Sequence, residues 1–158
     1  MCYNKLYNSL PFNFKGGKIF MERIKVAHLV KSEDLNHHGT LFAGRMAEWF
    51  VEACFICAAK KTEKPESILC VNIHGLTFSH PADLGNIINM EVYIARAKRT
   101  SFTVYCKITR NNSSDILSDG FITFVFVGEN RRPTPHHIVL DEPADEEERN
   151  TRLRAEKL

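Results

Sequence analysis

No run of about 18 apolar residues occurs in this 158-residue chain, so nothing in it reads as a membrane-spanning helix. The first twenty residues, MCYNKLYNSLPFNFKGGKIF, have neither a continuous apolar stretch nor a small-residue cleavage site, which argues against a secretory signal. Charge of one sign is also scarce. A formal net charge of only +2 leaves no concentrated basic surface for a nucleic-acid backbone. There is no Gly-x-Ser-x-Gly elbow for a serine hydrolase, no P-loop and no Gly-x-Gly-x-x-Gly dinucleotide fingerprint. His37-His38 and His136-His137 are isolated pairs without Cys, His or acidic partners at zinc spacing, so both read as loop residues and no metal is expected. Five cysteines are an odd number for a disulfide framework. Four of them, Cys54, Cys57, Cys70 and Cys106, sit in apolar segments and read as reduced, buried thiols of a cytoplasmic protein. Cys54 and Cys57 form a C-x-x-C, but inside a helical pattern, where core packing outranks redox chemistry.

What is present fits one globular domain: 44% hydrophobic and 25% charged residues over a length sufficient for a single core. Residues 1–20 read as a poorly ordered extension ahead of Met21, residues 21–140 as the domain, and residues 141–158 as a charged C-terminal helix or frayed tail. A short β-type alternation surrounds Ile24 and Val26. After a polar loop from Lys31 to Gly39, the segment from about Thr40 to Lys61 changes to helical spacing. Its apolar positions, among them Phe42, Met46, Trp49, Phe50, Ala53, Cys54 and Cys57, cover more than half the circumference. A helix this apolar requires a sheet around it. Four strand candidates follow Pro65, at 67–79, 86–97, 100–110 and 118–127. The last is apolar on both faces and belongs inside the sheet. The order gives an α+β layout. Large residues on the sheet's other face suggest association with a second copy. In the tail, Glu146-Glu147-Glu148 followed by Arg149, Arg152, Arg154 and Lys157 suits a solvated surface helix.

Chemistry concentrates in Asn36-His37-His38-Gly39-Thr40-Leu41-Phe42-Ala43-Gly44-Arg45-Met46-Ala47-Glu48-Trp49. Here a polar loop feeds small residues into the start of a buried helix. A helix start presents unpaired N–H groups that can hold a developing oxyanion. Ala43 and Gly44 leave room for a carbonyl to approach the backbone. Asn36 can donate and accept hydrogen bonds, and so orient the reacting group. Glu48 and Glu52 stand at i and i+4 on one side of the helix, as candidate bases or nucleophiles. They could equally pair with Arg45 or Lys60 at the helix surface. His74, in the strand 67–79, is left open between the site and an interface.

This segment resembles the acyl-CoA hydrolase branch of the hotdog-fold thioesterases. Phe78-Ser79-His80-Pro81 with Gly85 is similar to that family's F-x-x-P…G turn between strands. Arg99-Thr100-Ser101-Phe102-Thr103-Val104 is similar to its basic-Thr-Ser lead into the next strand, and Phe124-Val125-Phe126-Val127 to its last strand. The likeness runs from about Met21 to the C-terminus. It implies a long central helix wrapped by a curved antiparallel sheet of five to six strands. It further implies subunits paired sheet edge to sheet edge, in a homodimer or a higher homo-oligomer such as a tetramer or hexamer, with active sites between subunits. The implied substrate is acyl-CoA, with no cofactor beyond the coenzyme A the substrate carries. Asn36 would sit in the site and the backbone at Ala43 and Gly44 would receive the thioester oxygen. The acyl chain would run along the helix past Phe50 and Phe55. Arg96, Lys98 and Arg99 with Ser101 would meet the nucleotide end from the surface.

Two positions depart from the pattern. Ala43 replaces the first Gly of the family's Gly-Gly pair, a minor change because the backbone N–H remains. The second bears on the chemistry. The family places a catalytic Asp where this chain has Val51, seven residues after Gly44. Glu52, adjacent and expected to pack against Trp49 and Phe50, ranks first as a replacement, and Glu48 second. The alternative is a non-catalytic acyl-CoA-binding or regulatory protein.

Overall fold

The computed structural model describes residues 22–111 and 113–158; the extension expected at residues 1–20 lies outside the described residues. The alternation at Ile24 and Val26 becomes strand β1, Ile24–Leu29. The apolar helical pattern becomes α1, Ala43–Thr62. This helix ends where Glu63 takes a left-handed backbone (φ 54°), two residues before Pro65, which cannot continue a helix. Strands β2 (Ile68–Phe78), β3 (Ile87–Ala97), β4 (Ser101–Arg110) and β5 (Ile116–Phe126) follow, and a second helix, α2 (Glu146–Glu156), closes the chain. The five strands form one antiparallel sheet in the order β1-β3-β4-β5-β2. The doubly apolar strand, β5, lies in its interior as expected. No helix among the described residues is long and apolar enough to cross a membrane.

The helix packs across one face of this sheet. Met46, Trp49, Phe50, Ala53, Cys54, Cys57 and Ala58 are buried against Ile88, Met90, Val92 and Ile94 of β3, Phe102, Val104 and Ile108 of β4, and Ile122 and Phe124 of β5. The period-2 alternation of β3 and β4 is the cause: one set of side chains points at the helix, the other away. Fully burying each large aliphatic or aromatic side chain contributes about 1.5–3 kcal/mol, so this layer dominates stability. Cys54 and Cys57 belong to it. Burial pushes the Cys57 thiol up to about 12 and raises Cys54 as well, which leaves them as packing groups rather than nucleophiles. Cys70 departs from the buried-thiol expectation. It is exposed, because β2 is an edge strand.

One expectation about the outer face is corrected. Its large residues Tyr93, Tyr105 and Phe121 are covered by the chain's own α2, through Ala155, rather than awaiting a second copy. Of the two alternatives for the charged tail, helix or frayed segment, the structure has the helix, and it is docked, with Glu148, Thr151 and Ala155 buried. Asp145 caps it, its carboxylate accepting the Glu148 N–H at 2.8 Å. Arg154 lies over the Phe121 ring at 5.0 Å while pairing with Asp119 at 2.8 Å.

The sheet bends where β2 carries a bulge beside Gly75, whose φ of +69° suits glycine. Across from it, Gly120 of β5 is buried, and a Cβ there would collide with the Gly75 carbonyl oxygen and press on the Phe50 ring. Gly120→Ala should therefore cost on the order of 1–3 kcal/mol of overpacking, read as a lower midpoint in urea with an unchanged slope.

Candidate active site

The loop before α1 is built around Asn36. Its N–H donates to the Thr40 carbonyl at 2.8 Å, and its own carbonyl accepts the Gly39 N–H at 3.0 Å. Gly39 closes this turn with φ +78°, a conformation few other residues adopt. The Asn36 side chain completes the loop: Oδ1 accepts the N–H of His38 at 2.8 Å and of Thr40 at 3.3 Å, and Nδ2 donates to Thr40 Oγ1 at 3.1 Å. His37 and His38 are exposed with their rings 3.9 Å apart. Behind the loop, buried Asp34 accepts the Lys31 N–H at 2.9 Å and pairs with Arg45 of α1 at 3.1 Å, fixing the helix start against the loop.

A third segment completes the arrangement. The Leu41 N–H donates to the Ala82 carbonyl at 2.8 Å, and Thr40 bridges to Asp83. These bonds draw the residues after β2 alongside the helix start. The result is a cleft of about 210 Å³ lined by Asn36, Leu41, Ala43, Met46, Phe78, Ser79, His80, Pro81 and Ala82. At its helix end, the first intrahelical bond is Met46 N–H to Phe42 carbonyl. Among the described residues the N–H groups of Ala43, Gly44 and Arg45 have no acceptor, and they are the orphan donors a helix start supplies. Asn36 has the second hydrogen of its amide still to give. Of these three residues Ala43 lines the cleft, so its N–H and the Asn36 amide are the neutral donors nearest a polarised carbonyl oxygen there.

Of the residues the sequence singled out, Asn36 and Ala43 line the cleft, while Gly44 lies under the Phe42 ring outside its lining; Ser79 and His80 were read only as a turn. The F-x-x-P spacing was the available signal; what it lacked was any hint that the turn folds against residues some forty positions earlier. The helix carboxylates do not line the cleft. Glu48 is 64% exposed at its side chain and paired with Arg45 at 2.7 Å. Glu52 is exposed rather than packed against Trp49 and Phe50, because the buried face of α1 runs through Trp49, Phe50, Ala53 and Cys54. Val51, half-buried, packs against the core. Phe50 is fully buried in the core and cannot line an open acyl channel in this chain; Phe55 is half-buried.

The basic residues are distributed differently from the expected surface cluster. Lys98 and Arg99 are exposed in the β3–β4 turn, with Ser101 partly so. Arg96 is buried on the outer face, its guanidinium donating to Thr103 Oγ1 at 3.3 Å and to the Leu158 main-chain oxygen at 3.4 Å, with Nε unpartnered. The Arg96–Thr103 bond continues through Thr123 to His74, whose Nε2 lies 2.8 Å from the Thr123 hydroxyl. His74 thus belongs to a polar row across the outer face, away from the cleft. Burial, with Arg96 nearby, lowers its pKa. His136 supports the basic turn. It accepts the Ile138 N–H on Nδ1 at 3.0 Å, so its Nε2 is the protonated nitrogen that donates to the Ser101 carbonyl at 3.1 Å.

The strand register sets how far this turn is from the cleft. Phe78 of β2 pairs with Ser118, and Ile88 of β3 with Arg110, at the cleft end; Ala97 pairs with Phe102, and Ile68 with Phe126, at the other. At about 3.3 Å per residue, a strand of this length separates the two ends by roughly 30 Å. Asn36 and the Lys98–Arg99 turn therefore stand at opposite ends of one chain.

Comparisons with known proteins agree on what this geometry resembles. A model of the thioesterase superfamily matches residues 38–116, half of the chain. An uncharacterized acyl-CoA thioester hydrolase of Bacillus subtilis (strain 168) is 23% identical over 117 residues, spanning 72% of this chain and 67% of that protein. Among solved structures, an apo-hexameric acyl-CoA thioesterase superposes with a TM-score of 0.75 at 28% identity, covering 85% of this chain and 86% of the other. An acyl-CoA hydrolase from Bacillus cereus does so with a TM-score of 0.74 at 26% identity, covering 85% of each.

Proposed function

Because this chain belongs to the thioesterase superfamily and carries its hotdog fold, we propose that it hydrolyses acyl-CoA thioesters to coenzyme A and a carboxylic acid. The observation that carries the proposal is the cleft itself. Asn36 and Ala43, the latter at a helix start whose N–H groups are unpaired, line one small space, which suits a thioester carbonyl as its oxygen gains charge. The substrate class comes from the relatives, which are named as acyl-CoA hydrolases. The reading uses no metal and no cofactor beyond the coenzyme A within the substrate. Free, mostly buried thiols suit a reducing compartment, and we place the protein in the cytoplasm.

A working site takes two copies. β2 is an edge strand of 11 residues whose outer edge has no partner among the described residues, and Leu69, Val71 and Ile73 on it are 45–55% exposed. A long apolar edge of this kind is a template for strand pairing. If two β2 strands pair antiparallel about a two-fold axis, the cleft end of one chain comes beside the β3–β4 turn end of the other. Lys98, Arg99 and Ser101 of one copy would then meet the phosphates of a ligand whose thioester lies at Asn36 of its partner. The hexameric assembly of one solved neighbour supports a homo-oligomer, with this dimer as its unit.

A second reading is favoured by one observation. Val51 stands where the family places an aspartate, and valine neither activates water nor attacks a carbonyl, so a protein that binds acyl-CoA without turnover fits that position. Release of free coenzyme A thiol, followed over acyl groups of increasing length, separates the two. Steady turnover of at least one acyl-CoA is the expected result; saturable binding with no thiol released would decide for the binding protein.

A further inference from the structure

We infer that His80 is the general base of this cleft, taking the proton from the water that attacks the thioester. The inference rests on reading the cleft as a thioesterase site. Val51 leaves no proton acceptor at the position seven residues past Gly44, and the carboxylates nearest the helix start are otherwise placed. Both oxygens of buried Asp34 are occupied, by Arg45 and by the Lys31 N–H. Glu48 is held by Arg45, and neither Glu48 nor Glu52 lines the cleft of its own chain. Among the residues that do line it, His80 is the one titratable side chain.

Its backbone is held on each side. The Ser79 N–H donates to the Leu117 carbonyl at 2.8 Å, the Pro81 carbonyl accepts from Arg110 at 3.1 Å, and the Ala82 carbonyl accepts the Leu41 N–H at 2.8 Å. The imidazole, by contrast, has no hydrogen-bond partner among the described residues, unlike His136 or His74, whose two ring nitrogens are both engaged. His80 is exposed and lines the same cleft as Asn36 and Ala43, on an anchored segment and with no hydrogen bond to occupy its imidazole, an arrangement that suits a base better than a structural group.

The step balances with nothing added. Water oxygen bonds to the carbonyl carbon as its proton passes to the imidazole, and the carbonyl electron pair moves onto the oxygen held by the first-turn N–H groups of α1 and the Asn36 amide. The tetrahedral species collapses, the C–S bond breaks, and the imidazolium returns its proton to the departing sulfur. The products are a carboxylic acid and coenzyme A thiol, with His80 neutral again. A general base contributes roughly 10²–10⁴-fold to such a reaction.

The test is kcat and KM for thiol release from an acyl-CoA by the wild type, His80→Gln and His80→Ala, the last with and without added imidazole, with Tm measured for each. The expected result is a kcat lowered by about a hundredfold or more in both variants, little change in KM or Tm, and partial recovery of kcat in His80→Ala when imidazole is supplied. Wild-type kcat in His80→Ala, or a loss that imidazole does not relieve, overturns the assignment. So does a hundredfold loss in Glu52→Gln beside an unaffected His80→Gln, which gives the role to the helix carboxylate. A wild type that releases no thiol from any acyl-CoA instead overturns the hydrolytic reading, and this assignment with it.

Discussion

Asn36→Asp is expected to lower turnover by about 10²–10³-fold while leaving the melting temperature close to that of the wild type. The two consequences separate because the Asn36 side chain has two roles. Its Oδ1 shapes the loop by accepting the N–H groups of His38 and Thr40, and an aspartate oxygen can do the same. Its Nδ2 gives one hydrogen to Thr40 Oγ1 and has the other to offer the cleft. Aspartate keeps the acceptors, loses both donors, and sets a negative charge beside the position where the oxyanion forms. Loss of one such donor corresponds to about 2.7–4 kcal/mol in the barrier. Asn36→Ala is less informative, since it dismantles the loop as well. Thermal unfolding and thiol release measured on the same preparation make the comparison, and an Asn36→Asp protein with wild-type kcat would remove Asn36 from the mechanism.

Glu148→Ala should destabilise the fold by about 3–5 kcal/mol, more than a surface ion pair would suggest. Glu148 lies on the buried side of α2, its side chain only 6% exposed, between two arginines. One carboxylate oxygen accepts from Arg152 at 3.1 Å; the other accepts from Arg23 at 3.2 Å and from the Ala144 N–H at 3.2 Å. Removing the carboxylate leaves Arg152, 15% exposed, without its ion pair. It also weakens the hold of α2 on Tyr93, Tyr105 and Phe121. Replacing Glu148 and Arg152 together by apolar residues of similar size should recover most of the loss, because no charge is then left stranded. Urea unfolding of the single and double variants measures both, and a single variant within 1 kcal/mol of wild type would mean that α2 is held by its apolar contacts alone. Acid acts in the same direction. The Glu148 N–H, with Arg23 beside it, holds the Asp145 carboxyl below its ordinary value. That contribution is therefore complete above the usual aspartate pKa of about 3.9 and is lost as the pH falls below it through the folded-state value.

Most of the secondary structure was legible because its signal is local. Ile88, Met90, Val92 and Ile94 alternate whatever they pack against, and the apolar spacing from Met46 to Ala58 can only be a buried helix. Boundaries came within a few residues, since Pro65, Gly85 and the Asn111–Asp115 stretch punctuate the chain by their own backbone preferences. The docking of the tail helix was not legible, for the complementary reason. Its acids and bases look solvated when read in a line, and their partners Arg23, just ahead of β1, Lys107 and Asp119 lie far away in sequence. Burial of Arg96 escaped notice likewise. A basic residue three positions before Arg99 looks like part of one patch, yet the end of the chain covers Arg96 while Arg99 stays in the turn.

By itself, the sequence determined the succession of elements, the face each presents to the core, and the asparagine loop at the head of an apolar helix. These follow from periodicity and from the conformational preferences of Gly, Pro and Asn, which act over a few residues. Only the tertiary structure decided which side chains share the cleft, because the bonds from Leu41 to Ala82 and from Thr40 to Asp83 join segments that no local pattern connects. It also decided that Glu48 and Glu52 are exposed outside the lining of that cleft, and that the basic turn stands a full strand length from Asn36. Those relations depend on the handedness of one helix turn and on strand register, and a shift of a single residue in either would reverse them.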